Sequence, residues 1–136
     1  MSNLIPIVIC ADDFGLSPGV SDAIVELAEE CAISATSCMT SSPHWGSTAP
    51  LLNDRIQGKI DVGLHLTLTD LPTISTSAQR HFGDRLPSAR HLFASAFSGT
   101  LDLTAVRSEL HTQFDVFHKT MGRYPDFLDG HHHIHI

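Results

Sequence analysis

Basic residues are scarce in this 136-residue chain: eight Lys and Arg stand against fifteen Asp and Glu, a formal net charge of −7. A nucleic-acid binder needs a basic face to neutralise phosphates, and an anionic membrane selects for the same sign, so neither partner is expected. Cysteine is also sparse. Cys10, Cys31 and Cys38 are odd in number and lack CxxC spacing, which excludes a finger-type metal site and a paired disulfide framework. No apolar run approaches the ~18 residues of a membrane-spanning helix. The opening MSNLIPIVIC has no positive leader and too short an apolar run for a signal peptide. The expectation is a cytoplasmic protein with reduced thiols, its cysteines serving as core filler. With 42% hydrophobic and 17% charged residues, the chain can bury a core as a single domain over residues 1–136.

Histidine is abundant instead. Four of the ten histidines fall within His131-His132-His133-Ile134-His135, directly after Asp129-Gly130. As a strand, this stretch alternates faces: Asp129, His131, His133 and His135 on one, Leu128, His132, Ile134 and Ile136 on the other. A carboxylate and three imidazoles beside apolar residues are costly to bury without a task, and metal binding is the commonest task for imidazole. The bland readings are a terminal affinity tag or a solvated cluster, but tags do not alternate with isoleucine.

The rest of the chain alternates strand and helix signals. Leu4 to Cys10 is a short apolar run suited to a strand buried on both faces, ending at Ala11-Asp12-Asp13-Phe14-Gly15. Ser17-Pro18 is a cap followed by a first-turn proline, and Val20, Ile24, Leu27, Ala28 and Cys31 recur at helical spacing. Ile33 to Thr40 reads as a second strand, Trp45 to about Ile56 as a weaker helix, and Ile60 to Leu68 as a third strand. Thr69 to about Pro87 reads as an irregular loop, and Leu86 to Phe97 as a short helix. Asp102 caps a longer helix with the stripe Leu103, Val106, Leu110, Phe114, Phe117 and Met121, ended by Gly122. A fourth strand begins near Phe127. This order implies a parallel sheet with right-handed crossovers.

In such folds ligands bind at the carboxyl ends of the strands. Asp12-Asp13, His65 and His131 to His135 all fall there. Two imidazoles and a carboxylate from separate strands make a metal site with open positions for water and substrate. Of the adjacent acids, one can bind the ion while the other takes a proton from water. Taken alone, Asp12-Asp13 is also a turn before the Ser17 cap, and His65 a hydrogen-bonded core histidine. His44, His81, His91, His111 and His118 read as surface or loop residues, with His44 and His81 nearest to being exceptions.

Three motifs closely resemble those of a known family. They are Ala11-Asp12-Asp13-Phe14-Gly15-Leu16-Ser17, Gly63-Leu64-His65-Leu66-Thr67-Leu68-Thr69, and Leu128-Asp129-Gly130-His131-His132-His133-Ile134-His135. Together they resemble the leading motifs of the YdjC-like carbohydrate deacetylases, which include the chitooligosaccharide deacetylases. The resemblance implies a distorted (β/α) barrel of TIM type, here its N-terminal half. It implies one divalent ion, Mg²⁺ or Zn²⁺, held by Asp13, His65 and His131, with Asp12 as general base. His133 or His135 is then the general acid or holds Asp12 in place. The implied substrate is a small N-acetylated carbohydrate. A half-barrel leaves an open edge for a homodimer or another association, and turnover by these 136 residues alone is expected to be poor or absent. The competing readings are a different metal-dependent amidohydrolase or phosphoesterase, and a non-catalytic metal-binding half-barrel. No Gly-rich phosphate cradle supports phosphoester chemistry.

Overall fold

The structure is a computed structural model and describes residues 5–133. Four strands form one parallel sheet: β1 (Cys10–Phe14), β2 (Ala35–Cys38), β3 (Asp61–Leu66) and β4 (Leu128–Gly130). Their order in the sheet is their order in the chain. A doubly wound sheet reverses its order at a switch point, whereas a barrel winds in one direction. The chain is therefore an α/β fold wound as the first half of a parallel (β/α) barrel.

Five helices fill the crossovers: α1 (Pro18–Glu29), α2 (Trp45–Arg55), α3 (Thr76–Phe82), α4 (Ala89–Phe97) and α5 (Leu103–Met121). Local chemistry sets their ends. The Ser17 hydroxyl accepts from Val20 N–H with Pro18 at the first turn, and Asp102 accepts from Thr104 and Ala105. Gly122 closes α5 in the left-handed region at φ 69°, where a side chain would cost energy. None of these helices is long and apolar enough to cross a membrane, among the described residues.

Alternation along the strands gives the sheet two distinct faces. Phe14, Cys38, Val62 and Leu64 pack with Ile24, Val25, Ala49, Leu52 and Phe117 from the helices in one apolar core. Trp45 stacks on Phe117 with ring centroids 6.1 Å apart, and its indole N–H reaches Thr120. The opposite face is polar. Register pairs Ser37 with Gly63 and His65 with Asp129, so Ser37, His65 and Asp129 share one face of the sheet. Gly63 is needed there: a Cβ would lie 2.5 Å from the Phe127 ring.

Three expectations are corrected. The strand read over Leu4 to Cys10 begins only at Cys10, so both acids lie inside β1 and not after it. Ile5, Ile7 and Val8 are 83%, 75% and 73% exposed, because Pro6 removes a donor and β1 is an edge strand with no neighbour on its outer side among the described residues. The loop after β3 is not irregular throughout. It contains α3, capped by Ser75, and a Pro72–Arg85 antiparallel bridge. The fourth strand stops at Gly130, and His131 to His133 form a 3₁₀ turn with His132 and His133 both at φ 55°. The expected alternation of the histidines between two faces therefore fails.

Candidate metal centre

An irregularity in β1 builds the centre of the site. Pairing with β2 runs Cys10–Ala35 and Ala11–Thr36, then slips to Phe14–Cys38. Asp13 sits in the bulge at φ 66°, a conformation that Asp tolerates better than most side chains. Gly15 follows at φ 93°, its N–H held by the Ser21 hydroxyl at 3.0 Å. In a regular strand consecutive residues face opposite sides. The bulge instead lets Asp12 and Asp13 line the same cleft.

That cleft, of ≈ 260 Å³, is lined by both acids, His65, His131, His132 and His133. Larger clefts of ≈ 400 and ≈ 370 Å³ lie elsewhere and contain neither Asp12–Asp13 nor His65. One oxygen of Asp13 stands 3.2 Å from His65 Nε2 and 3.0 Å from His131 Nδ1. The two rings meet edge to face at 74°, with centroids 5.4 Å apart.

His65 is 3% exposed and held on its other nitrogen. Its Nδ1 lies 2.8 Å from Asp129 Oδ1 and 3.0 Å from Ser37 Oγ. A carboxylate accepts only, so the Nδ1 proton points to Asp129 and leaves Nε2 aimed at Asp13. Burial pulls the His65 pKa down, but hydrogen bonds to Asp129 and Asp13 outweigh it and raise the value to about 9. The same contacts, from His131 first and then His65, hold the Asp13 carboxyl well below the usual carboxylate range against its own desolvation.

The geometry fits a divalent ion. The donor atoms of Asp13, His65 and His131 all lie within 4.8 Å of one another. Four ligands at zinc's bond lengths of about 2.0–2.2 Å sit roughly 3.3 Å apart, and magnesium's octahedron places neighbours about 3.0 Å apart. The 3.2 and 3.0 Å separations of Asp13 from the two imidazoles suit either ion. The Asp129–His65 contact is the carboxylate–imidazole pairing that fixes the tautomer of ligating histidines.

The fold brings Asp12, Asp13, His65, His131 and His133 to one cleft; His135 lies outside the described residues. Asp12 is exposed, and its carboxylate accepts the Ser37 hydroxyl at 3.3 Å. His44, His81, His91, His111 and His118 do not line the cleft. Sequence reasoning gave no role to Asp129, Ser37 or His132. Asp129 had a signal, since it shares a face with His131 in an extended chain. Ser37 had none. His132 was assigned to the opposite face, yet its ring lies 4.0 Å from that of His131. Cys10, Asp12 and Asp129 also bring their donor atoms within 4.8 Å. Cys10 and Cys31 are exposed and only Cys38 is buried, so the expectation that the cysteines serve as core filler holds for Cys38 alone. Partial desolvation of the thiol and the neighbouring carboxylates push Cys10 up to about 12, so it is a neutral thiol at physiological pH.

Comparison with known proteins agrees with this architecture. The chitooligosaccharide deacetylase of Yersinia pestis (strain Pestoides F) is 32% identical over 96% of this chain and 50% of its own length. That of Yersinia pseudotuberculosis serotype O:1b (strain IP 31758) matches equally. The crystal structure of an Enterococcus faecalis V583 protein, provisionally described as a cellobiose-phosphate cleavage protein, superposes with a TM-score of 0.73 at 29% identity. It covers 94% of this chain and 49% of that one. The chain thus spans about half the length of the curated relatives it matches. The sequence profile of the YdjC-like proteins matches residues 6–136, and the chain belongs to that family.

Proposed function

We propose that the cleft serves metal-dependent removal of an acetyl group from N-acetylated amino sugars or chitooligosaccharides. The names of the Yersinia relatives support the substrate class. The observation that carries the chemistry is a single Asp13 oxygen between His65 Nε2 and His131 Nδ1, with Asp12 in the same cleft.

Asp13, His65 and His131 would hold one Mg²⁺ or Zn²⁺. When bound, the ion supplies Lewis acidity toward the acetyl carbonyl and water. The two acids divide the remaining work. Asp13 is committed to both imidazoles and stays ionised. Asp12 is exposed, with the Ser37 hydroxyl fixing one oxygen, so it is the carboxylate that takes the proton from water as the oxygen attacks the acetyl carbon. The C–N bond then breaks, and the amine nitrogen must receive a proton. His65 cannot deliver it, because its Nδ1 proton is held by Asp129 and its Nε2 faces Asp13. His133, on the rim of the cleft, or His135 supplies it.

The test is acetate release from N-acetylated chitooligosaccharides, with added Zn²⁺ or Mg²⁺, for wild type and Asp12→Asn. A base in this role contributes roughly 10²–10⁴-fold, so the low release expected of these 136 residues should fall to background in Asp12→Asn while the ion still binds normally. Release that survives Asp12→Asn rejects the assignment. Free thiols at Cys10, Cys31 and Cys38 suit a reducing cytoplasm, which is part of this reading. A second reading is a metal-binding half-barrel that associates through its open edge, favoured by Leu128 on edge strand β4, which is 55% exposed. A concentration-independent monomeric mass in solution would exclude it.

A further inference from the structure

We propose that Thr69 and His132 form a positioning pair that aims the His131 imidazole at the ion. The inference rests on the metal reading above and extends it to residues outside the ligand set.

The starting point is the backbone. His132 and His133 are both left-handed at φ 55°. Such a conformation is disfavoured for a non-glycine residue and persists where the surroundings impose it. The turn has one geometric result: neighbouring side chains that a strand would send to opposite faces come together. The His132 ring lies against the His131 ring, with centroids 4.0 Å apart and planes at 36°. His132 is exposed, so burial does not fix its ring. Its fixed partners are the His131 ring and a hydrogen bond between its Nδ1 and Thr69 Oγ1 at 3.0 Å.

Thr69 is itself fully buried and rigidly held. The segment after β3 is tied to α5 by two residues without solvent exposure, Glu109 and Gln113. Gln113 accepts from Thr67 N–H at 2.9 Å and donates to Thr67 C=O at 2.6 Å. The Glu109 carboxylate accepts the N–H groups of Ile74 at 3.1 Å and Ser75 at 2.8 Å. Gln113 also donates to Glu109 at 3.3 Å. Thr69 thus stands between two points pinned to a long helix. Through it, the helix sets His132, and His132 backs the ring whose Nδ1 is 3.0 Å from Asp13. Groups hydrogen-bonded directly to a ligating ring are worth about 10–100-fold in metal affinity; His132 touches the His131 ring by stacking and Thr69 acts through it, which places the pair at the low end of that range.

Zn²⁺ affinity, measured by competition with a chelating dye, is the test, with the melting temperature of the EDTA-treated chain recorded in parallel. Thr69→Val keeps the buried shape and removes the hydroxyl. His132→Phe keeps a stacked ring on the surface without its nitrogen. Each should weaken Zn²⁺ about tenfold without lowering the metal-free melting temperature. The double variant should fall no further than either single one, because both remove the same bond. Thr69→Ser should restore binding. Wild-type affinity in either single variant, or additive losses in the double, overturns the pairing alone. A wild-type chain that binds neither Zn²⁺ nor Mg²⁺ removes the metal reading and this inference together.

Discussion

The buried imidazole of His65 makes the metal-free chain sensitive to alkali, and Asp129→Asn should blunt that sensitivity. His65 rises from an ordinary 6.5 to about 9 because Asp129 and Asp13 stabilise its charged form more than burial opposes it. Each tenfold change in proton affinity is about 1.4 kcal/mol, so the charged imidazole contributes about 3 kcal/mol. The pKa is higher in the folded than in the unfolded state. The contribution is therefore complete below about pH 6.5 and disappears as pH rises through about 9. Roughly 2 kcal/mol should vanish between about pH 6.5 and 8.5, which is about 1 M in urea midpoint for a chain of this size. Asp13 does not obscure the window. Its pKa is depressed on folding, so its contribution is lost only as pH falls into the acid range. Cys10, raised to about 12, begins to act only above the unfolded thiol value of 9.0. The assay is urea unfolding of the EDTA-treated protein at the two pH values. Asp129→Asn keeps an acceptor 2.8 Å from Nδ1 but removes one of two charges, so the fall should shrink to about 1 kcal/mol. An undiminished fall in Asp129→Asn, or a flat wild-type profile, would refute the placement of the proton on His65.

Two further outcomes follow from the same coordinates. In the proposed metal reading, His65 is protonated at neutral pH without metal and would present a bare Nε2 to the ion, so Zn²⁺ binding at pH 7 should release about one proton; calorimetry in buffers of different ionisation heat counts it. Gly63→Ala places a Cβ 2.5 Å from the Phe127 ring, and thermal unfolding should show a loss of about 1–3 kcal/mol; an unchanged transition would mean that the ring moves aside freely.

The parts of the fold that could be read from sequence are those fixed by neighbours along the chain. Helix α5 is announced by Asp102, by its apolar stripe and by Gly122, and it runs Leu103–Met121. Ser17-Pro18 announces α1 equally well. The strands were legible only in kind. Ile5 to Ile9 has the composition of a buried strand, but whether an apolar run becomes one depends on what lies beside it, and β1 begins at Cys10, directly after its most hydrophobic stretch. The segment after β3 looked unstructured because its order comes from Glu109 and Gln113, more than thirty residues downstream. The site followed the same division. Asp13, His65 and His131 could be nominated by residue type and motif, but only the bulge in β1 explains how two consecutive acids share one cleft. The strand period failed at His132, because a left-handed turn has no signature in a run of identical residues.

The bulge at Asp13 carries a mechanical consequence. In the proposed function, the carboxylate that would grip the ion and the carboxylate that would receive the proton are joined by one peptide linkage, a planar and stiff connection. Breathing of the sheet, or a shift of β1 against β4, carries both acids as a single body. Their Cα atoms keep a fixed spacing, while the two carboxylates answer to Ser37 on one side and to the two imidazoles on the other. In the proposed reaction, alignment of water with its proton acceptor would start from two neighbouring letters of the sequence, while capture of the ion would be left to the long-range fold.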